Sequence, residues 1–444
     1  MHVSGTGAAP GVNHSQSSAK SFLPTGHLFP FFLVTGLFFL WAVPNNLNDV
    51  LIRQFMTSFA ITRLQAGLVQ SAFYLGYFVL AIPAAMLMRR SGYKAGFLTG
   101  LALFGTGAIL FWPAAIVDRY SFFLVALFIV AAGLSFLETA ANPFIAQFGP
   151  PESSERRLNF SQAFNPLGSI AGVLLGTVFI FSGIELTAPQ ILHLQALGQY
   201  QVYLHSETMR VVRPYVVLGI IVWAWALIIA FTRFPVLAGE HEHGEHPANT
   251  LPANELLRHP NLLFAVIAQF LYVGAQVGTW SYFIPYVQQY AHQPEKTAGY
   301  LLTGTLAAFA IGRFFSAWLM RFVPPGRLMG LYSLANVALV ALGILAPGWI
   351  GLWSLFLTSF FMSVMYPTIF VFGIKDLGPN AKLGASLIVM AIVGGAALTP
   401  LMGWIGEVTG SGAVAYIVPL AAYIFVAWFS FRQSPGPLQE ATTS

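Results

Sequence analysis

Twelve runs of about 20 mostly apolar residues, joined mostly by short connections, leave this chain one solvent in which to fold, the interior of a membrane. They lie near 27–50, 65–88, 96–115, 120–143, 160–183, 214–234, 261–289, 298–321, 328–346, 350–374, 383–405 and 411–432. A bilayer offers no water to backbone N–H and C=O groups, so each run must close its hydrogen bonds within itself, as a helix does. Runs of this length, without period-2 alternation, argue against an outer-membrane barrel. With 57% hydrophobic and 8% charged residues over 444 positions, a soluble globular class is excluded. The expected fold class is an all-α membrane protein with twelve transmembrane helices.

The basic residues follow topology and form no patch of the kind that binds nucleic acid. With a cytoplasmic N-terminus, the cytoplasmic segments hold Lys20, Arg89, Arg90, Lys94, Arg156, Arg157, Arg233, Arg258, Arg321, Arg327, Lys375, Lys382 and Arg432. The opposite side holds Arg53, Arg63, Arg119, Arg210, Arg213 and Lys296. This bias of 13 to 6 predicts both termini inside, although Arg53 and Arg63 in the first outer loop run against it. Residues 1–26, rich in Gly, Ser and Ala, read as a disordered tail and not as a cleaved signal. The chain has no cysteine, so disulfides and thiolate chemistry are excluded.

Residues 235–260 form the one long hydrophilic break between spans six and seven. They separate an N-terminal group of six spans, 27–234, from a C-terminal group, 261–433, with a tail at 434–444. The halves echo each other. Leu87-Met88-Arg89-Arg90 leads to Gly92-Tyr93-Lys94, and Leu319-Met320-Arg321 leads to Gly326-Arg327. Gly149-Pro150 after span four is matched by Gly378-Pro379 after span ten. Two pseudo-symmetric six-helix bundles are the mark of a transporter whose halves rock about a midplane site. An outer loop at 184–213 shows no strong periodic pattern and is expected to cap the fifth and sixth helices.

Two carboxylates interrupt this apolar pattern. Asp49 ends the run Asn45-Asn46-Leu47-Asn48-Asp49, and Glu138 lies in Leu137-Glu138-Thr139-Ala140-Ala141-Asn142-Pro143. A carboxylate at membrane depth costs several kcal/mol unless paired, hydrated or protonated, which makes both acids candidates for proton coupling. Asn45 shares a helix face with Asp49, and Asn142 shares one with Glu138, each at a spacing of four. The first cluster would also serve as a polar helix end at the outer interface, the second as a clamp between helices. Gln162, Asn165 and Ser169 form a polar stripe in span five; Gln269, Tyr272, Gln276 and Trp280 form another in span seven. Amides beside aromatic faces suit a sugar, giving hydrogen bonds to hydroxyls and a flat surface to the ring, though polar contacts between helices use the same residues. Tyr366, before Pro367, either lines the cavity from the second half or marks a kink. Arg313 is expected to snorkel or to pair in a gate more readily than to touch substrate.

The tract His241-Glu242-His243-Gly244-Glu245-His246 resembles a metal site, yet nothing nearby fixes ligand geometry. It reads as flexible linker, and no metal is expected. No Walker-type glycine loop is present, so ATP is not the expected energy source.

The motifs Phe38-Phe39-Leu40-Trp41-Ala42, Asn45-Asn46-Leu47-Asn48-Asp49, Gln70-Ser71-Ala72-Phe73-Tyr74 and Tyr93-Lys94-Ala95-Gly96 occur in order with the Glu138 motif. Tyr272-Val273-Gly274-Ala275-Gln276, Trp280-Ser281-Tyr282 and Tyr366-Pro367-Thr368-Ile369-Phe370 follow. With them the chain, from about residue 27 to 433, resembles the fucose permease family of the major facilitator superfamily. The resemblance implies two six-helix domains around a central cavity, no cofactor, and uptake driven by the proton gradient across a bacterial inner membrane by a monomer. It implies proton coupling for Asp49, sugar binding and a share in titration for Glu138, and polar cavity positions for Asn46 and Gln162. Pro44 and Met365 stand where small and polar residues are expected.

The function expected is import of a monosaccharide, L-fucose first, together with a proton. Symport of glucose, galactose or another hexose is the alternative. A non-transporting sugar sensor lacks a long polar signalling domain here. A membrane-embedded transferase would need a catalytic group at the membrane surface, and no histidine lies in the interior of a predicted span, so no enzyme is expected.

Overall fold

The computed structural model describes residues 28–59, 61, 68–180, 186–235, 253–256 and 258–433. Every element among them is helical. The first half runs α1 (Leu28–Ser58), α2 (Leu68–Ile109), α3 (Phe111–Val117), α4 (Tyr120–Gln147), a 3-10 turn at Pro151–Ser153, α5 (Ser154–Gln162), α6 (Asn165–Leu175), a π turn at Gly176–Ile180, α7 (Ala188–Ala196) and α8 (Tyr200–Phe231). After the short α9 (Ala253–Leu256) come α10 (Pro260–Ser281), α11 (Phe283–Ala291), α12 (Glu295–Leu319), α13 (Pro325–Leu345), α14 (Trp349–Met362) and α15 (Met365–Ile374). A 3-10 turn at Gly378–Asn380 leads to α16 (Ala381–Met390), a second at Ala391–Val393 to α17 (Gly394–Thr409), and a third at Val414–Tyr416 to α18 (Ile417–Arg432).

Eleven segments among the described residues are long and apolar enough to cross a membrane. The one at Leu68–Val117 spans 50 residues and turns back at Gly92, whose φ of 76° favours glycine, so the crossings number twelve. Because crossings alternate, residues 28, 89–94, 147–154, 231, 260, 320–325, 374–381 and 432 share one side, here called the terminal side. The His-rich tract at 241–246 lies outside the described residues.

Within the outer loop expected at 184–213, residues 186–213 are more ordered than the pattern predicts. It holds α7, opened by a Thr187 and Gln190 capping box, and the first part of α8, which begins at Tyr200 rather than near 214. Hydropathy misses this part because of its many polar residues, most of them exposed, although one acid is satisfied inside the bundle. Glu207 is buried, its carboxylate accepts from Gln54 Nε2 at 3.0 Å, and Arg210 Nε lies 3.5 Å away.

Two details set the first bundle's geometry. Gly168 and Gly172 of α6 press on the backbone of α1, where an added Cβ would strike the carbonyl oxygens of Phe39 and Val43. Arg157, fully buried, donates to the carbonyls of Ile145, Ala146 and Pro150 and to Ser153 Oγ, capping the end of α4 with charge. Replacing Arg157 by alanine is expected to destabilise the folded protein by about 3 kcal/mol, because several buried carbonyls lose a charged donor at once. Thermal unfolding in detergent measures this, and an unchanged midpoint would contradict it.

The apolar core has two parts. One gathers the first bundle together with Leu262, Phe370, Leu383, Leu387 and Ile388; the other lies within the second bundle, from Ala265 to Phe429. The shared residues sit on the terminal side, where α16 packs on α2 and α4, and α15 packs on α5.

Candidate functional site

The site is built on two broken helices. Crossing five breaks at Ala163 and Phe164, between α5 and α6, and crossing ten at Ser363 and Val364, between α14 and α15. Each break is followed by a proline, Pro166 and Pro367. A proline has no N–H for the carbonyl four residues earlier. Pro166 therefore cannot serve the carbonyl of Gln162, and Arg313 of α12 does so from the other bundle. Its Nη1 donates to the Gln162 carbonyl at 2.5 Å and to Gln162 Oε1 at 2.8 Å. Arg313 is only 4% exposed and lies with its guanidinium 4.6 Å from the centre of the Phe309 ring. Of the two roles expected for Arg313, pairing across the bundles is the one observed.

From Gln162 the chain of hydrogen bonds continues inward. Gln162 Nε2 donates to Asn142 Oδ1 at 2.8 Å, and Asn142 Nδ2 donates to the carbonyl of Glu138, one turn back along α4, at 2.9 Å. The Glu138 side chain is buried, with Arg313 and Tyr366 as its electrostatic neighbours. Its Oε2 and the Tyr366 hydroxyl have no completed hydrogen bond within the protein. Tyr77 of α2, beside Asn45, and Tyr272 of α10 close the same cluster around Glu138 and Arg313. Buried polar atoms are almost always paired with protein, water or ligand, so this group of facing, unsatisfied oxygens is suited to a polyhydroxylated guest.

The structure brings Glu138, Asn142, Gln162, Tyr272 and Tyr366 into one cluster. The Tyr272 hydroxyl also donates to the Met362 carbonyl at 3.0 Å, on the last residue before the break in crossing ten. Gln269, fully buried, has neither amide atom paired within the protein. Trp280 donates from its indole N–H to Ser359 Oγ at 3.1 Å and packs edge-on against Phe309, and Gln276 is half-buried on the same helix. Two predicted residues are turned to backbone carbonyls, one in the same helix and one across from α6 to α1. Asn46 donates to the Ala42 carbonyl at 2.9 Å, and Asn165 donates to the Phe38 carbonyl at 3.4 Å. Asp49 lies within α1, and its side chain is outside the described residues.

Sequence reasoning missed Tyr77 and gave Arg313 no partner. It also missed Lys382, 7% exposed, which donates to the Met88 carbonyl at 3.0 Å and lies 4.6 Å from the centre of the Tyr93 ring. A third polar link between bundles joins Asn159 Nδ2 to Thr368 Oγ1 at 3.2 Å. The signal for Lys382 was a lysine at the end of a predicted connection; only the fold shows that this end, the start of α16, is buried while Lys375, Asp376, Gly378 and Pro379 are exposed. Among the described residues, no group of His, Asp and Glu is arranged to hold a metal ion.

Residues 30–382 match the family model of the Major Facilitator Superfamily. The chain belongs to this superfamily. Its members are transporters and not enzymes, which agrees with the two six-helix bundles meeting at a polar cluster. The chain is 44% identical over 408 residues to the L-fucose-proton symporter of Escherichia coli (strain K12), covering 91% of this chain and 93% of that one. It is 37% identical over 415 residues to the L-fucose-proton symporter of Haemophilus influenzae, covering 91% and 96%. A crystal structure of a major facilitator transporter in the outward conformation superposes with a TM-score of 0.85 at 43% identity, covering 92% of this chain and all of that one.

Proposed function

We propose that this protein imports a monosaccharide, L-fucose, together with a proton, as a monomer in a bacterial inner membrane with both termini cytoplasmic. The observation that carries the reading is the near full-length identity to L-fucose-proton symporters, joined to a buried carboxyl, Glu138, beside unsatisfied hydroxyl and amide groups. Two bundles, 27–234 and 261–433, rock about this cluster while 235–260 links them. Glu138, Asn142, Gln162, Gln269, Tyr272 and Tyr366 hold the sugar, with Asn46, Asn165, Gln276 and Trp280 lining its path, and Asp49 and Glu138 carry the proton chemistry.

The terminal side is closed by the links at Met88, Asn159 and Gln162, which with the outward-conformation relative supports a cavity facing outward. In this state sugar hydroxyls donate to the Glu138 carboxyl, while the Gln162 and Gln269 amides, each carrying a donor and an acceptor, orient the ring. Release follows when the terminal side opens.

Uptake of labelled L-fucose, D-glucose, D-galactose and D-arabinose into proteoliposomes, with and without an inward pH gradient, tests the reading. L-Fucose should be accelerated by the gradient and favoured over the other sugars. Gradient-independent entry of every sugar, or preference for glucose, would overturn the assignment.

A further inference from the structure

Crossings five and eight bring the two bundles together through an aromatic contact. Phe164, at the break before α6, packs edge-on against Phe314 of α12, with ring centres 6.0 Å apart. Crossing five runs away from the terminal side, and crossing eight runs back to it. At a rise of about 1.5 Å per residue, Arg156, eight residues before Phe164, and Arg321, seven after Phe314, both stand about 10–12 Å toward the terminal side of that contact. The fold thus carries two guanidinium groups to one level, one on each bundle, and they are electrostatic neighbours. Arg156 is half-buried and Arg321 is exposed.

The acids on the same turn face other cations. Glu155 meets Arg157 and Lys375, and Glu152 meets Arg157. Arg157 itself is turned inward onto the carbonyls that end α4, so Arg156, one residue earlier, points round the helix from it. Like charges brought together at the edge of a low-dielectric medium repel, and an anion between them removes that penalty. Beside the pair, α12 and the turn after it hold a row of exposed rings. Phe315 and Trp318 lie 5.6 Å apart between centres, and Trp318 and Phe322 lie 5.3 Å apart. Exposed aromatic residues near the end of a crossing sit at the level of lipid headgroups.

We propose that Arg156 and Arg321 form a binding site for the phosphodiester of an anionic phospholipid, which enters from the bilayer between crossings five and eight and bridges the two bundles on the terminal side. Each guanidinium presents paired N–H donors to phosphate oxygens, which is the geometry arginine offers and lysine does not. The acyl chains lie along Phe315, Trp318 and Phe322. A lipid fits better than a free anion, because this apolar row continues the site where a soluble anion gains nothing. The site takes part in neither sugar nor proton binding and goes beyond the symport reading.

Native mass spectrometry of the detergent-solubilised full chain, titrated with phosphatidylglycerol, measures the bound lipid. The parent should hold phosphatidylglycerol in preference to phosphatidylcholine, whose phosphate is offset by its own ammonium, and millimolar inorganic phosphate should not displace it. Arg156→Gln and Arg321→Gln should each weaken phosphatidylglycerol binding by about fivefold. Arg156→Lys, which keeps the charge without the paired donors, should weaken it less. Arg233→Gln, which removes an exposed cation elsewhere on the terminal side, should leave it unchanged.

Arg156→Gln and Arg321→Gln proteins that elute as folded protein and bind phosphatidylglycerol as the parent does would overturn the proposal. An equal loss in the Arg233→Gln protein would mark a diffuse attraction to the charged side and would overturn it too. Displacement by inorganic phosphate would make the ligand a soluble anion and the lipid assignment wrong. The readout contains no sugar, so a parent that moves no fucose refutes the symport reading and leaves the lipid site standing.

Discussion

Replacing Glu138 by alanine should lower gradient-driven sugar uptake by about a hundredfold or more. Two losses act together. Sugar hydroxyls lose a carboxyl partner, and a buried polar group left without its hydrogen bond costs about 1–3 kcal/mol. Arg313, almost fully buried, loses the carboxyl in whose field it stands and keeps only Gln162 and the Phe309 ring as partners. Glu138→Gln separates the two effects. The amide keeps hydrogen-bonding capacity, so sugar binding by the Gln protein should remain within about tenfold of the parent, whereas the Ala protein should bind weakly. Equilibrium binding by calorimetry and initial uptake rates supply both readouts. Uptake by the Ala protein within a few-fold of the parent would remove Glu138 from the site.

Asp49→Asn should give a different phenotype, with accumulation against a gradient lost and sugar exchange retained. Asparagine preserves size and polarity at the end of the run Asn45 to Asp49 but carries no exchangeable proton. Exchange of labelled for unlabelled fucose across proteoliposomes needs no net proton movement, so it should proceed within a few-fold of the parent rate. Accumulation driven by an inward pH gradient should fall to background. Loss of both exchange and binding would assign Asp49 to the sugar instead of to the proton.

The twelve crossings were legible because hydropathy and length in a bilayer are severe constraints, and the two acids were legible because a carboxylate in such a run demands an explanation. The spacing of Glu138 and Asn142 also transferred directly, since four residues along a helix place two groups on one face. Contacts between bundles were not legible. Gln162 was visible as part of a polar stripe, but its pairing with Arg313 joins positions 151 apart in sequence and depends on how α12 meets the break before α6. Glu207 was hidden for a similar reason: its partner, Gln54, lies on α1, and a polar helix face satisfied by a distant amide has the composition of a loop. Lys382 likewise looked like a solvated charge until α16 was seen packed on α2. The proline rule nevertheless leaves a trace in the sequence, for Pro166 and Pro367 each mark a carbonyl that must find a donor elsewhere.

The central claim, that sugar and proton cross together, is most directly tested by a pH electrode in a lightly buffered suspension of proteoliposomes with no imposed gradient. Addition of L-fucose should make the medium transiently more alkaline as protons enter with the sugar, and a protonophore should abolish the signal. The Asp49→Asn protein should give no signal although it still exchanges fucose. Entry of labelled fucose into the same vesicles with no change in external pH would contradict the account.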